Sequence, residues 1–344
     1  MSTLAEPHAP DADLKRGIAR LLPESFGADN PAALRFTPLN GGVSSDIWRV
    51  DSPAGTVCAK RALAALRVAD RWQAPVRRNA EEVKWLQFAH VVVPGHVPRV
   101  IAHDAGLGVA LLSWFDPSEW RNWKSALLQG QVRTDVARSV ATVIGTVHAR
   151  SAARPSLKAR FRNADLFESL RIDPYFATAA QRCPAAAEAL GDVMVKLRGS
   201  AVALVHGDVS PKNVLFRSDN AAVLLDAECA TWGDPAFDVA FLASHLLLKA
   251  LHRPQALEAY LDTAVAFLDT YEENAPGLLG TSAATLERLV AALVLARVDG
   301  KSPVEYLTPD EVLRARDFAV VHLREPARDI AALLAAWRHI VRAV

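Results

Sequence analysis

The chain has 344 residues, 51% hydrophobic and 22% charged, the balance of a folded globular protein with material for two domains or one large two-lobed one. Its 39 basic and 38 acidic residues leave a formal charge of +1, so no general field drives it toward nucleic acid or an anionic membrane, although a local basic pocket stays open. Cys58, Cys183 and Cys229 are odd in number, widely spaced and without a CxxC pair, which argues against a disulfide framework or zinc spacing and fits reduced thiols in a cytoplasm.

Residues 1–12, with Pro7 and Pro10, read as a flexible terminus with no apolar signal segment. Asp13 is positioned to cap a short helix that runs to Leu22 and stops at Pro23. "LRFTPL", "DIWRVDS" and "GTVCAKRA" predict short antiparallel strands, separated by "NGGVSS" and "SPAG". "APVRRNAEEVKWLQFAH" places Pro75 near a first helical position and Val76, Ala80, Val83 and Leu86 at helical spacing, predicting a helix to about His90. "VPRVIAHD" and "GVALLSWF" are further strands around "DAGLG".

After "FDPSEW" the texture changes. "TDVARSVATVIGTVHARSA" has a Thr/Asp start and an apolar helical stripe, and the remainder reads as helix except for one island, 202–226. There "AVALVHG", "NVLFRS" and "AAVLLDA" return to a strand pattern. No apolar run reaches the ~18 residues of a membrane span. The expected fold is α+β: a small β-rich amino-terminal lobe over 13–115 and a larger, mainly helical lobe over 116–344. The second lobe carries a β-hairpin holding a polar loop.

That loop, in "LVHGDVSPKNVLF", sets Asp208 five residues before Asn213; Asp226 and then Glu228 follow the strand "AAVLLD". A base, an amide oxygen and carboxylates at the end of an adjacent strand are what phosphoryl transfer needs. One carboxylate orients and deprotonates the attacking hydroxyl. Mg²⁺, a hard ion, takes oxygens from one or two side chains plus phosphate, and Asn213 and Asp226 supply them. A plain polar turn accounts for His-Gly-Asp alone, but not for the whole string with "DAECATWGDPAFD" behind it.

"HGDVSPKN", "LLDAE" and "GDPAFDVA" resemble the aminoglycoside phosphotransferase and choline kinase group, small-molecule kinases with a protein-kinase-like two-lobed fold. The resemblance implies that Asp208 is the catalytic base and that Asn213 and Asp226 bind Mg²⁺, with Glu228 a further metal or water contact. It also implies that His206 braces the loop and that Asp238 starts a helix and bonds the loop backbone. His-Gly-Asp and Asp-Ala-Glu replace the protein-kinase signatures His-Arg-Asp and Asp-Phe-Gly, which disfavours a protein substrate. Lys212 either reaches a γ-phosphate or is solvated.

No Walker-type P-loop is present. Instead Gly41, Gly42, Ser44 and Ser45 form a turn able to face phosphate oxygens. Lys60 lies on the strand face opposite Val57 and Ala59, with Glu81 or Glu82 of the next helix as its partner. The family places this acid about one turn before the apolar "WL", which favours Glu82. Ser113 to Phe115 offer backbone groups to adenine, so Ser113 and Phe115 join the ATP set.

Acceptor walls are sought in "SEWRNWKS" (Trp120, Arg121, Trp123, Lys124), in Trp232, and in "LARVDGKSPVEYL" (Arg297, Asp299, Lys301, Tyr306); taken singly, each residue of the last set is better explained by capping and binding the helix end. Near-neutral charge argues against a polycationic aminoglycoside and for a neutral or anionic metabolite, such as a sugar, a methylthioribose-like compound or an amino alcohol. The expectation is an ATP- and Mg²⁺-dependent cytoplasmic phosphotransferase acting on a small-molecule hydroxyl, without nucleic-acid or membrane partners. The alternatives are a catalytically silent nucleotide-binding regulatory module and an aminoglycoside-modifying resistance kinase.

Overall fold

Asp11, rather than Asp13, caps the first helix. Its Oδ1 accepts the Leu14 N–H at 2.8 Å, and α1 runs Ala12–Leu21. Asp13 lies in the first turn, where a negative charge favours the helix dipole. The computed structural model describes residues 9–26, 31–39, 44–67, 72–282 and 285–343. By its internal contacts the chain divides into two units, Met1–Pro117 and Ser118–Val344.

In the first unit β1 (Arg35–Pro38), β2 (Ser45–Ser52), β3 (Gly55–Ala62), β4 (Val100–Asp104) and β5 (Val109–Ser113) form one antiparallel sheet in the order β1-β2-β3-β5-β4. The pairing of Trp48 with Ala59 and Val50 with Val57 puts alternate residues on one face. There they pack with Val109, Leu111 and the Leu14–Ile18 stripe of α1. Each such buried side chain contributes about 1.5–3 kcal/mol.

α2 spans Arg78–Val92, starting later than the apolar spacing predicts, and Val76 is exposed rather than part of its buried stripe. The cause is Arg78. Its buried guanidinium donates to the carbonyls of Ala74 (3.0 Å), Pro75 (3.1 Å), Ser44 (2.5 Å) and Leu63 (2.6 Å), which holds the preceding segment as a loop.

The second unit opens with β6 (Arg121–Asn122), α3 (Trp123–Leu128) and α4 (Thr134–Ala152). α5 (Ala164–Phe167) runs into a π-helical stretch, Glu168–Ala177, followed by α6 (Thr178–Arg182) and α7 (Ala187–Gly199). Then come β7 (Ala203–Val205), β8 (Val214–Phe216), β9 (Ala222–Leu224) and β10 (Thr231–Gly233). α8 (Ala236–His252), α9 (Leu257–Asn274), α10 (Leu286–Asp299), α11 (Pro309–Arg324) and α12 (Ile330–Arg342) complete it.

The strand island extends past 226 and does not hold the polar loop within one hairpin. β8 pairs with β9 and β6, whereas β7 pairs with β10, setting Leu204 opposite Trp232. The loop therefore bridges two sheets. β10 is three residues long and follows a polar segment, so no alternating pattern announces it. Every residue of α8 from Ala236 to Leu251 is buried, the mark of a helix packed on all sides. Its polar members, Asp238, Ser244, His245 and Lys249, therefore each require a partner or a use. Among the described residues no helix is long and apolar enough to cross a membrane.

Candidate active site

Asp238, in the first turn of α8, anchors the loop that follows β7. Its Oδ2 accepts the His206 N–H at 2.6 Å and its Oδ1 the Gly207 N–H at 2.8 Å. His148 of α4 adds a third bond, Nε2 to Oδ2 at 3.1 Å, which leaves its Nδ1 to accept from the Tyr271 hydroxyl at 2.9 Å. Burial, with Asp238 adding to it, pushes the Tyr271 phenol well above its usual range and keeps it a donor.

Gly207 has φ +77°, and a Cβ there would stand 2.6 Å from the Cys229 carbonyl oxygen. Only glycine combines that conformation with that approach. Gly207→Ala should cost about 2–5 kcal/mol, the sum of left-handed backbone strain and overpacking. The check is a lower urea midpoint at unchanged m-value.

His206 is braced at both ring nitrogens. Nδ1 accepts the Asp208 N–H at 3.1 Å, so Nε2 carries the proton and donates to the Leu225 carbonyl at 3.1 Å. Burial lowers its pKa against the pull of Asp238, Asp208 and Asp226, so the neutral ring ties the loop to the end of β9.

From that end the Leu225 N–H returns to the Asn213 carbonyl at 2.8 Å, continuing the β8–β9 register by one step. Asp226 follows immediately, with φ +67°, a backbone conformation that non-glycine residues seldom adopt. The Asn213 side chain spends its Nδ2 on the Asp208 carbonyl at 3.0 Å, which frees Oδ1 as an acceptor.

Asp208 is 3% exposed. Its Oδ2 meets two cations, Arg171 at 2.9 Å and Lys212 at 3.2 Å, and its Oδ1 accepts from Ser210 at 3.3 Å. Burial works to raise its pKa and the nearby Asp226 charge adds to that. Lys212 and Arg171 outweigh both and hold the carboxyl below its ordinary range. The group is ionised at neutral pH.

Arg171, on the π-helical stretch, is absent from the sequence-derived set. Its Nε donates to the Gly207 carbonyl at 2.5 Å, and its guanidinium lies over the rings of Tyr175 (5.2 Å) and Phe241 (5.6 Å). The only signal in the sequence is a basic residue inside the apolar run before Pro174. Lys212 is half exposed and contacts Asp208.

Among the described residues no group of three or more His, Cys, Asp or Glu side chains forms a metal cage. Mg²⁺ does not need one, because phosphates and water complete its six oxygens. Asn213 Oδ1 and the Asp226 carboxylate, on residues that the hairpin register makes neighbours along the backbone, are hard donors of the right kind. Glu228 is buried two residues on.

In the first unit the Lys60 ammonium lies 2.8 Å from both carboxylate oxygens of Glu82, both residues being buried. Glu81 pairs with Lys84 at 2.9 Å. Ser44 and Ser45 are buried at the start of β2, the Ser44 carbonyl taken by Arg78 and the Leu63 N–H. Gly41 and Gly42 lie outside the described residues. Ser113 uses its N–H on the Arg99 carbonyl at 2.9 Å and its hydroxyl as acceptor for the Arg99 N–H; Phe115 follows β5.

The acceptor candidates have structural partners of their own. Trp123 is buried core of α3, Trp232 donates its indole N–H to Ala201, and Trp120 lies beneath Arg217. Asp299 is bound by Arg316 at 2.7 and 2.6 Å, and Lys301 reaches Asp173 at 3.3 Å. Arg297 is buried, donating to Tyr175 and the Ser302 carbonyl.

Similarity to known proteins points the same way. Methylthioribose kinase of Bacillus cereus (strain AH187) is 25% identical over 285 residues, covering 73% of this chain and 71% of its own. That of Bacillus thuringiensis subsp. konkukian (strain 97-27) is 26% identical over 237 residues, covering 61% and 59%. Among solved structures, choline kinase from Cryptosporidium parvum Iowa II superposes with a TM-score of 0.53 at 12% identity, over 96% of this chain and 95% of its own. Amicoumacin kinase hAmiN, solved with AMP-PNP, Ca²⁺ and Ami, gives 0.52 at 14%, over 97% and 94%. The fold is thus the α+β, protein-kinase-like fold of small-molecule kinases. The profile of the phosphotransferase enzyme family matches residues 35–276, and the chain belongs to that family.

Proposed function

We propose that this phosphotransferase moves the γ-phosphoryl group of ATP, with Mg²⁺, to a hydroxyl of a small molecule, Asp208 being the base. The observation that carries the proposal is the ionised Asp208 carboxylate. Two cations hold one of its oxygens, the Asn213 side chain donates to the Asp208 carbonyl, and the β8–β9 register continues from Asn213 to the residue before Asp226. Such a carboxylate accepts the acceptor's hydroxyl hydrogen bond, aims the oxygen, and takes its proton as the phosphoryl group arrives. Phosphoryl transfer passes through a loose transition state, so positioning counts for more than basicity.

Asn213 and Asp226, with Glu228 beside them, would hold Mg²⁺, which when bound neutralises phosphate charge. Lys60, oriented by Glu82, is assigned to the α- and β-phosphates. Residues 13–115 then act as the nucleotide-binding lobe and 116–344 as the catalytic and acceptor-binding lobe. The curated relatives are named for methylthioribose, which supports a small hydroxyl-bearing acceptor.

The test is ADP release from Mg-ATP across sugars, sugar phosphates, hydroxy acids, amino alcohols and aminoglycosides. At least one compound should raise the rate tenfold or more above the acceptor-free rate. EDTA should abolish the gain and added Mg²⁺ restore it. Acceptor-dependent turnover that survives EDTA would remove the metal from the scheme.

A further inference from the structure

Two buried polar side chains of α8 play no part in holding the loop. Lys249 is 1% exposed, with its ammonium 5.0 Å from the centroid of the Tyr306 ring, and it hydrogen-bonds no side chain or carbonyl among the described residues. His245, one turn earlier, leaves its Nδ1 unbonded; so do Arg297 with its Nε and Tyr306 with its hydroxyl. Of the acids that act on the cluster, Glu305 is paired with Lys124 at 2.5 Å and Glu311 lies 3.5 Å from the His252 Nδ1. Proteins bury an ammonium with a counter-charge, because an unpaired one loses its hydration without compensation. Burial first, then Lys124 and Arg297, pulls Lys249 down to about 7. The cluster is short of negative charge.

It also lies beside the reacting group. Arg171, 2.9 Å from Asp208, covers the rings of Tyr175 and Phe241. Phe241 packs edge-on against His245 with centroids 5.1 Å apart, and Arg297 donates to the Tyr175 hydroxyl at 3.3 Å. Lys212, which contacts Asp208, also acts electrostatically on His245, so the reacting carboxylate and the cluster border a common region.

We propose that the phosphate acceptor carries an anionic group of its own, a carboxylate or a phosphate ester, received by Lys249 and Arg297 with Tyr306 while its hydroxyl lies at Asp208. This rests on the kinase reading above and narrows it. The anion accepts from the Lys249 ammonium, the Arg297 Nε and the Tyr306 hydroxyl, which bond no other group among the described residues, while the Arg297 Nη1 stays on Tyr175 and Ser302; a cationic acceptor is repelled by the same set.

Two measurements test it. The first is calorimetric titration of inorganic phosphate and of D-glycerate into the wild-type chain, Lys249→Met and Arg297→Met. Each variant should bind the anion at least tenfold more weakly, and Arg297→Lys should recover part of the loss. Cooperative urea unfolding confirms that each variant is folded.

The second is ADP release with matched pairs: D-glycerate against glycerol, and ribose 5-phosphate against ribose, with choline and kanamycin as cations. The charged member of at least one pair should exceed its neutral partner tenfold in kcat/KM, and which pair does so separates carboxylate from phosphate ester. Turnover of neutral or cationic compounds, with phosphate binding unchanged in the variants, overturns the anionic acceptor and leaves the kinase reading standing. Lys249-dependent phosphate binding with no ADP released by any compound removes the kinase reading, and the acceptor assignment with it.

Discussion

Asp208→Asn should lower acceptor-dependent kcat by roughly 10²–10⁴-fold, the usual worth of a positioned general base, while Mg-ATP still binds. The substitution keeps the shape of the side chain, the backbone N–H bond to His206 and the carbonyl's bond from Asn213, but removes the charge and the proton acceptor. The nucleotide contacts assigned to Asn213, Asp226 and Lys60 are untouched. Arg171 and Lys212 then face a neutral amide, so part of the cost falls on stability, because a buried cation that loses its partner is expensive. Titration of a fluorescent ATP analogue, thermal unfolding and single-turnover rates separate the three effects. A folded variant that retains more than about a tenth of the wild-type rate would exclude Asp208 as the base.

Lys249→Met should stabilise the ligand-free protein at pH 7 by on the order of 4 kcal/mol, and the gain should vanish near pH 10.5. In the folded chain Lys249 gives up its proton near 7, whereas an unfolded lysine keeps its own to about 10.4. Between those values the unfolded state binds the extra proton, so the stability of the wild-type chain rises with pH across this window at about 1.4 kcal/mol per pH unit. Methionine has no proton to exchange and fits the apolar surroundings. Urea midpoints of the two proteins from pH 7 to 10 isolate this group, since other titrations cancel in the difference. A constant difference would mean that Lys249 is charged or solvated in the native state. On the acceptor proposal, a bound anion supplies the charge that Lys249 lacks, so phosphate should narrow the difference between the two proteins at pH 7.

The sequence by itself determined what depends on neighbours along the chain. Strand alternation in "DIWRVDS" and "GTVCAKRA" set Val57 and Ala59 against Lys60. The short β8–β9 hairpin put Asn213 beside Asp226, because hairpin register is a local property. The helix offered Glu81 and Glu82 alike as partners for Lys60, the family resemblance chose Glu82, and the loop motif pointed to Asp208.

The tertiary structure alone decided which charges are compensated. Arg171 reaches Gly207 and Asp208 from 36 residues before Gly207, and His148 meets Asp238 across 90. In the string "HLLLKALH" Lys249 reads as one polar position on a helix until α8 proves buried on every side. The β7–β10 pairing that fixes one end of the polar loop rests on strands three residues long, too short to carry a period. Burial and Coulomb attraction depend on separation in space, and separation along the chain carries no record of it.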